Sequence, residues 1–84
     1  MYFCLITFRS ITPAQQGERI LRQAGFDITL GRTPKWMEEQ GCGYSLRMRC
    51  PDTLRCVEEL RQKKIAFRKI YRLKEDGKAE EMVL

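Results

Sequence analysis

A chain of 84 residues with sixteen Lys and Arg, eleven Asp and Glu and no histidine is one domain with one modest core. That size excludes a deep, enclosed active site, and the missing imidazole removes every scheme that uses histidine as a base. The formal charge of +5 favours anionic partners such as nucleic acid, an acidic protein surface or a small anion, although a plain soluble surface carries a similar excess.

There is no signal-peptide pattern and no apolar run of membrane-spanning length, since the opening apolar residues stop at Arg9. The expectation is a cytoplasmic protein that does not engage a membrane. Residues 2–8 are β-branched and aromatic and read as a strand, apolar on both faces and therefore central in its sheet. Thr12, Pro13 and Gln15 predict a helix start, with Thr12 as N-cap and Gln15 closing a capping box. Gly17, Ile20, Leu21 and Ala24 share its inner face, Gly17 offering a close approach to the sheet, and Gly25 ends it.

Residues 26–31 alternate Phe26, Ile28 and Leu30 against polar neighbours, the pattern of a half-buried strand. Residues 32–43 are too long for a hairpin turn; Thr33-Pro34 can start a short helix over 34–40 and Gly41 can stop it. Residues 44–50 place Tyr44, Leu46, Met48 and Cys50 on one face and Ser45, Arg47 and Arg49 on the other. Pro51-Asp52 opens a second helix with Leu54, Cys56, Val57 and Leu60 inward and Lys63 and Lys64 at its end. Residues 66–73 form a last strand, and 75–84 read as a charged C-terminal tail, frayed or briefly helical.

This order, βαββαβ, predicts an α+β ferredoxin-like sandwich over residues 1–74: a four-stranded antiparallel sheet with two helices on one face. Right-handed crossovers then bring the exit of the first strand, the start of the first helix and the loop between strands two and three to one end.

Of the four cysteines, Cys4, Cys50 and Cys56 fall on strands or a helix and read as small buried hydrophobes. Reduced thiols are the default without an export signal, and the spacing matches no zinc site, so no metal and no cofactor is expected. Cys42 differs. Gly41 and Gly43 clear side chains from around it, as an approachable thiol requires, although both glycines can equally serve a turn. Its predicted neighbours are Arg9, Ser10 and Thr12 at the first helix start, where amides and a cation favour thiolate. A helix over 34–40 with Glu38 and Glu39 opposes this, and Arg32, Lys35 and Arg47 offset it. Trp36 either lines the thiol site, contacts a partner or anchors the loop on the core.

The Tyr2-to-Phe8 strand running into a Ser/Thr turn, Thr33-Pro34-Lys35, Cys42-Gly43 entering the third strand, Pro51-Asp52 and Ile70-Tyr71 together resemble a bacterial domain-of-unknown-function family described as putative selenium/sulfur (Se/S) carrier protein-like. The resemblance covers about residues 2–73. It implies a carrier rather than a classical enzyme: Cys42 would hold a persulfide or selenopersulfide for transfer between donor and acceptor proteins. Trp36-Met37-Glu38-Glu39-Gln40 is bulkier and more acidic than the small, Ser-rich stretch the family pattern has before the cysteine.

Two other functions compete. A ferredoxin-like sheet can bind RNA through aromatics on its open face, and Arg47 and Arg49 are suitably basic, but the third strand lacks the needed aromatic pair. A regulatory or interaction module, with Cys42 structural, would homodimerise through Phe3 and Leu5 on that face.

Overall fold

The computed structural model describes residues 2–33 and 43–82. The elements are β1 (Phe3–Phe8), α1 (Ile11–Gln23), β2 (Thr29–Arg32), β3 (Tyr44–Arg49), a 3-10 turn (Cys50–Asp52), α2 (Thr53–Gln62), β4 (Ile70–Leu73) and β5 (Ala79–Met82). They build an α+β domain in which one antiparallel sheet, ordered β2-β3-β1-β4-β5, packs against the two helices. Among the described residues no helix is long and apolar enough to cross a membrane.

The sheet has five strands, not the expected four. The added strand comes from the segment read as a charged tail. Ala79, Glu80, Glu81 and Met82 pair with Leu73, Arg72, Tyr71 and Ile70. The hairpin turns on Gly77 at φ +84°, closed by Gly77 N–H donating to the Lys74 carbonyl at 3.0 Å. Its charges are matched across strands: Glu80 lies 3.5 Å from Arg72 and 3.0 Å from Lys74, and Glu81 lies 3.4 Å from Lys69. Composition alone resembled a solvated tail because those acids find their cations only once the strands are in register.

β1 is central, between β3 and β4, which is why both of its faces are apolar. Cys4, Ile6 and Phe8 face the helices and join Leu46, Met48, Ile28 and Ile70 in the core with Ala14, Leu21, Cys56, Val57 and Leu60. Gly17 is buried where α1 meets this layer; a Cβ there would sit 3.1 Å from side-chain carbons of Leu46 and Leu60. The missing side chain is what lets the helix approach so closely.

Several local expectations are corrected. The N-cap of α1 is Ser10, not Thr12, and no side chain caps the helix, so the Thr12–Gln15 box does not form. Leu54, assigned inward, is 55% exposed; α2 begins at Thr53, and Thr53, Cys56, Val57 and Leu60 make its buried stripe. Cys4 and Cys50 are not separate reduced thiols but a disulfide. Cys4 pairs with Met48, and Cys50 N–H donates to the Tyr2 carbonyl at 3.1 Å, so the two cysteines lie on adjoining chain segments with Cα atoms 5.1 Å apart. That separation is within the span of a bridge.

Candidate functional site

The end of the sheet where β1 runs into α1 gathers most of the residues singled out from the sequence. Phe8 pairs with Tyr44, and Tyr44 with Arg32, so Arg9, Gly43 and Thr33 lie side by side beyond the last paired residues. Thr33 N–H donates to the Gly43 carbonyl at 3.0 Å, and both residues are buried. The chain therefore leaves the sheet after Thr33 and re-enters at Gly43 through one clamped point. Among the described residues, the buried Thr33 hydroxyl has no hydrogen-bond partner.

Cys42, Gly41, Lys35, Trp36 and the helix expected over 34–40 lie outside the described residues. Of the supporting residues, the structure brings Arg9, Ser10, Thr12, Arg32 and Gly43 to this one end. Arg32 is exposed, with its guanidinium 5.9 Å from the centre of the Tyr44 ring. Arg47 is not among them. It sits opposite Leu5, well along β3, with its guanidinium 4.1 Å over the Phe3 ring. That cation–π contact commits both groups to the outer face of the sheet.

Sequence reasoning missed the other wall of this end. Residues 66–69 run beside β1 before β4 begins. Thr7, fully buried, holds them: its N–H donates to the Lys69 carbonyl at 2.8 Å, its carbonyl accepts from Arg68 N–H at 2.7 Å, and its hydroxyl accepts from Lys69 N–H at 3.0 Å. Between this segment and the start of α1 lies an open groove of about 560 Å³, lined by Arg9, Ser10, Pro13, Ala66, Phe67, Arg68 and Lys69. A hydroxyl residue inside the apolar β1 run was the available signal, because a buried threonine needs a partner.

Arg9, Arg32, Lys63, Lys64, Arg68 and Lys69 lie at the Gly43 end, with Glu81 beside Lys69, while at the other end Asp27, Asp52, Glu75 and Asp76 are interspersed with Arg22, Arg49, Arg55, Lys74 and Lys78. The remaining described thiol takes no part. Cys56 is buried in α2, and its pKa is pushed up to about 12 by burial first and by Asp52 and Glu59 second. Among the described residues no cluster of three or more His, Cys, Asp or Glu side chains is arranged to hold a metal.

The family profile described as "Putative Se/S carrier protein-like" matches residues 3–72. No curated protein and no solved structure matches the chain.

Proposed function

We propose a function from one premise: the chain belongs to the Se/S carrier-like family, matched over residues 3–72. The protein carries sulfur or selenium on Cys42 as a persulfide or selenopersulfide and passes it between partner proteins. In the sulfur case, the Cys42 thiolate attacks the terminal sulfur of a donor persulfide. The donor's S–S bond breaks, its thiolate leaves and takes up a proton, and the sulfur stays on Cys42. An acceptor nucleophile then removes that sulfur and regenerates the Cys42 thiolate. No net oxidation occurs, so the exchange calls for no cofactor.

The observation that carries this reading is the family match across a Gly41-Cys42-Gly43 segment. Three features of the fold support it. The anchor residue Gly43 lies beside Arg9 at the cationic end of the sheet, and positive surroundings favour thiolate over thiol. Cys56 is buried and held protonated, so it does not compete. Cys4 and Cys50 are tied to each other at the far end of β1 and β3.

The RNA-binding alternative is weakened by the outer face, where Arg47 occupies the ring of Phe3 that would stack a base. Dimerisation through the same face loses its apolar patch, because Leu5 is only 6% exposed and Phe3 is half-buried. Mass spectrometry of the protein isolated from its native cell tests the carrier reading. The expected result is an added sulfur or selenium atom on Cys42, absent from a Cys42→Ser variant. A Cys42 that is never loaded, and that alkylates no faster than Cys56, overturns it.

A further inference from the structure

A carrier must be recognised by the proteins that load and unload it, and the groove beside Arg9 has the features of such a recognition surface. It is fixed rather than incidental. Thr7 bonds the backbone of Arg68 and Lys69 from below, and Phe67 is half-buried against the core. Its floor is apolar, from Pro13, Ala66 and Phe67, and its rim is polar and cationic, from Arg9, Ser10, Arg68 and Lys69. Among the described residues Arg9 makes no ion pair, the Ser10 side chain makes no capping bond, and Lys69 is engaged only by the exposed Glu81 at 3.4 Å. Lys63 and Lys64, at the end of α2, extend the positive field on the same end of the molecule.

Position ties the groove to the carrier loop. Gly43, Arg9 and Arg68 stand on three adjoining segments of the sheet end, and strands lie about 4.8 Å apart, so the groove begins within roughly 10 Å of Gly43. A volume of about 560 Å³ is too large for a single inorganic ion and suits a few residues of peptide. The mixed lining asks for acids that meet the rim and an apolar side chain that meets the floor.

We propose that this groove is the docking site for an acidic peptide segment, carrying one apolar residue among its acids, on the protein that exchanges sulfur with Cys42. The identity of that partner rests on the carrier reading; the groove's preference for such a segment does not.

The test is an amide NMR titration of the full chain with the acetylated peptide Glu-Glu-Leu-Glu-Glu. Shifts are expected at Ser10, Ala66, Phe67 and Lys69, fading as salt is raised. An Arg9→Glu, Lys69→Glu double variant, altered only at exposed positions, should weaken binding by about tenfold or more, and Arg9→Gln should weaken it less. Overturning results are a peptide that shifts none of the groove amides, shifts confined to the Arg47 and Arg49 strand, or binding unchanged in the double variant. Stronger binding of the control peptide Lys-Lys-Leu-Lys-Lys, or displacement of the acidic peptide from the groove by a mixed RNA oligomer, also overturns it. The outcomes separate the two readings. A Cys42→Ser chain that still binds the peptide supports the groove whatever becomes of the carrier chemistry. A chain that loads sulfur from inorganic polysulfide but ignores the peptide overturns the groove alone.

Discussion

Cys56 and Cys4 are equally buried and both read from the sequence as small buried hydrophobes, one on a helix and one on a strand, yet the fold gives them different chemistry. Cys4 has Cys50 across the sheet and Met82 Sδ at 3.7 Å; Cys56 has Asp52 and Glu59 near it and, among the described residues, no sulfur partner. The Cys56 pKa rises from an ordinary 9.0 to about 12 in the folded state, which couples it to stability. Below pH 9.0 the thiol is protonated whether the chain is folded or not, and its contribution is fully present. Above 9.0 the unfolded chain releases a proton that the folded chain keeps, so stability falls progressively until about pH 12. Urea unfolding followed upward from neutral pH should show this decline, and Cys56→Val should flatten it. A slope identical in the variant would show that another group is responsible. The inertness of this thiol was legible only as far as its place on an apolar helix stripe; the two carboxylates act through the turn of α2, which the stripe does not specify.

The two helices end alike on different residues. In α1, Phe26 N–H donates to the Leu21 carbonyl at 3.0 Å and Gly25 takes φ +95°. In α2, Ile65 N–H donates to the Leu60 carbonyl at 2.9 Å, and the equivalent residue is Lys64 at φ +58°. Left-handed backbone costs an L side chain on the order of 1 kcal/mol that glycine avoids. Lys64→Gly should therefore raise the unfolding free energy by about 0.5–1 kcal/mol, read by urea titration; a destabilised variant would mean that the lysine side chain contributes more than its backbone strain removes. Gly25 announced its turn in the sequence, whereas Lys64 read as a cation suited to a helix end. The strands divide in the same way. β1 was legible because its apolar run is continuous, and Phe26, Ile28 and Leu30 pointed inward as their alternation required, although regular pairing begins only at Thr29. β5 was not, since Ala79–Met82 has no apolar alternation of its own and depends on cations supplied by β4 and its flanks.

At the scale of the whole molecule, the Cys4–Cys50 bridge joins residues 46 apart in sequence and encloses most of β1 and all of α1, β2 and β3. Closing a loop of that length removes unfolded-state entropy equivalent to about 4 kcal/mol in the chain-entropy model. Reduction, or a Cys50→Ser substitution, should lower the unfolding free energy by up to about 4 kcal/mol while leaving the β1–β3 register intact, as seen in amide spectra before and after reduction. Unchanged stability on reduction would mean that the pair stays open in solution. The bridge lies at the end opposite Gly43, so this scaffold effect is separable from transfer at Cys42. What the sequence alone determined is what depends on local periodicity and residue type: an α+β chain, a central β1, helices with inward stripes, a close approach at Gly17, and a family identity legible in short motifs. Only the tertiary structure decided the fifth strand, the sulfur pairing, the placing of Arg47 over the Phe3 ring and the groove between Arg9 and Lys69. Each of these needs residues distant in the chain to be brought into register, and register is set by the packing of the whole core rather than by any one segment.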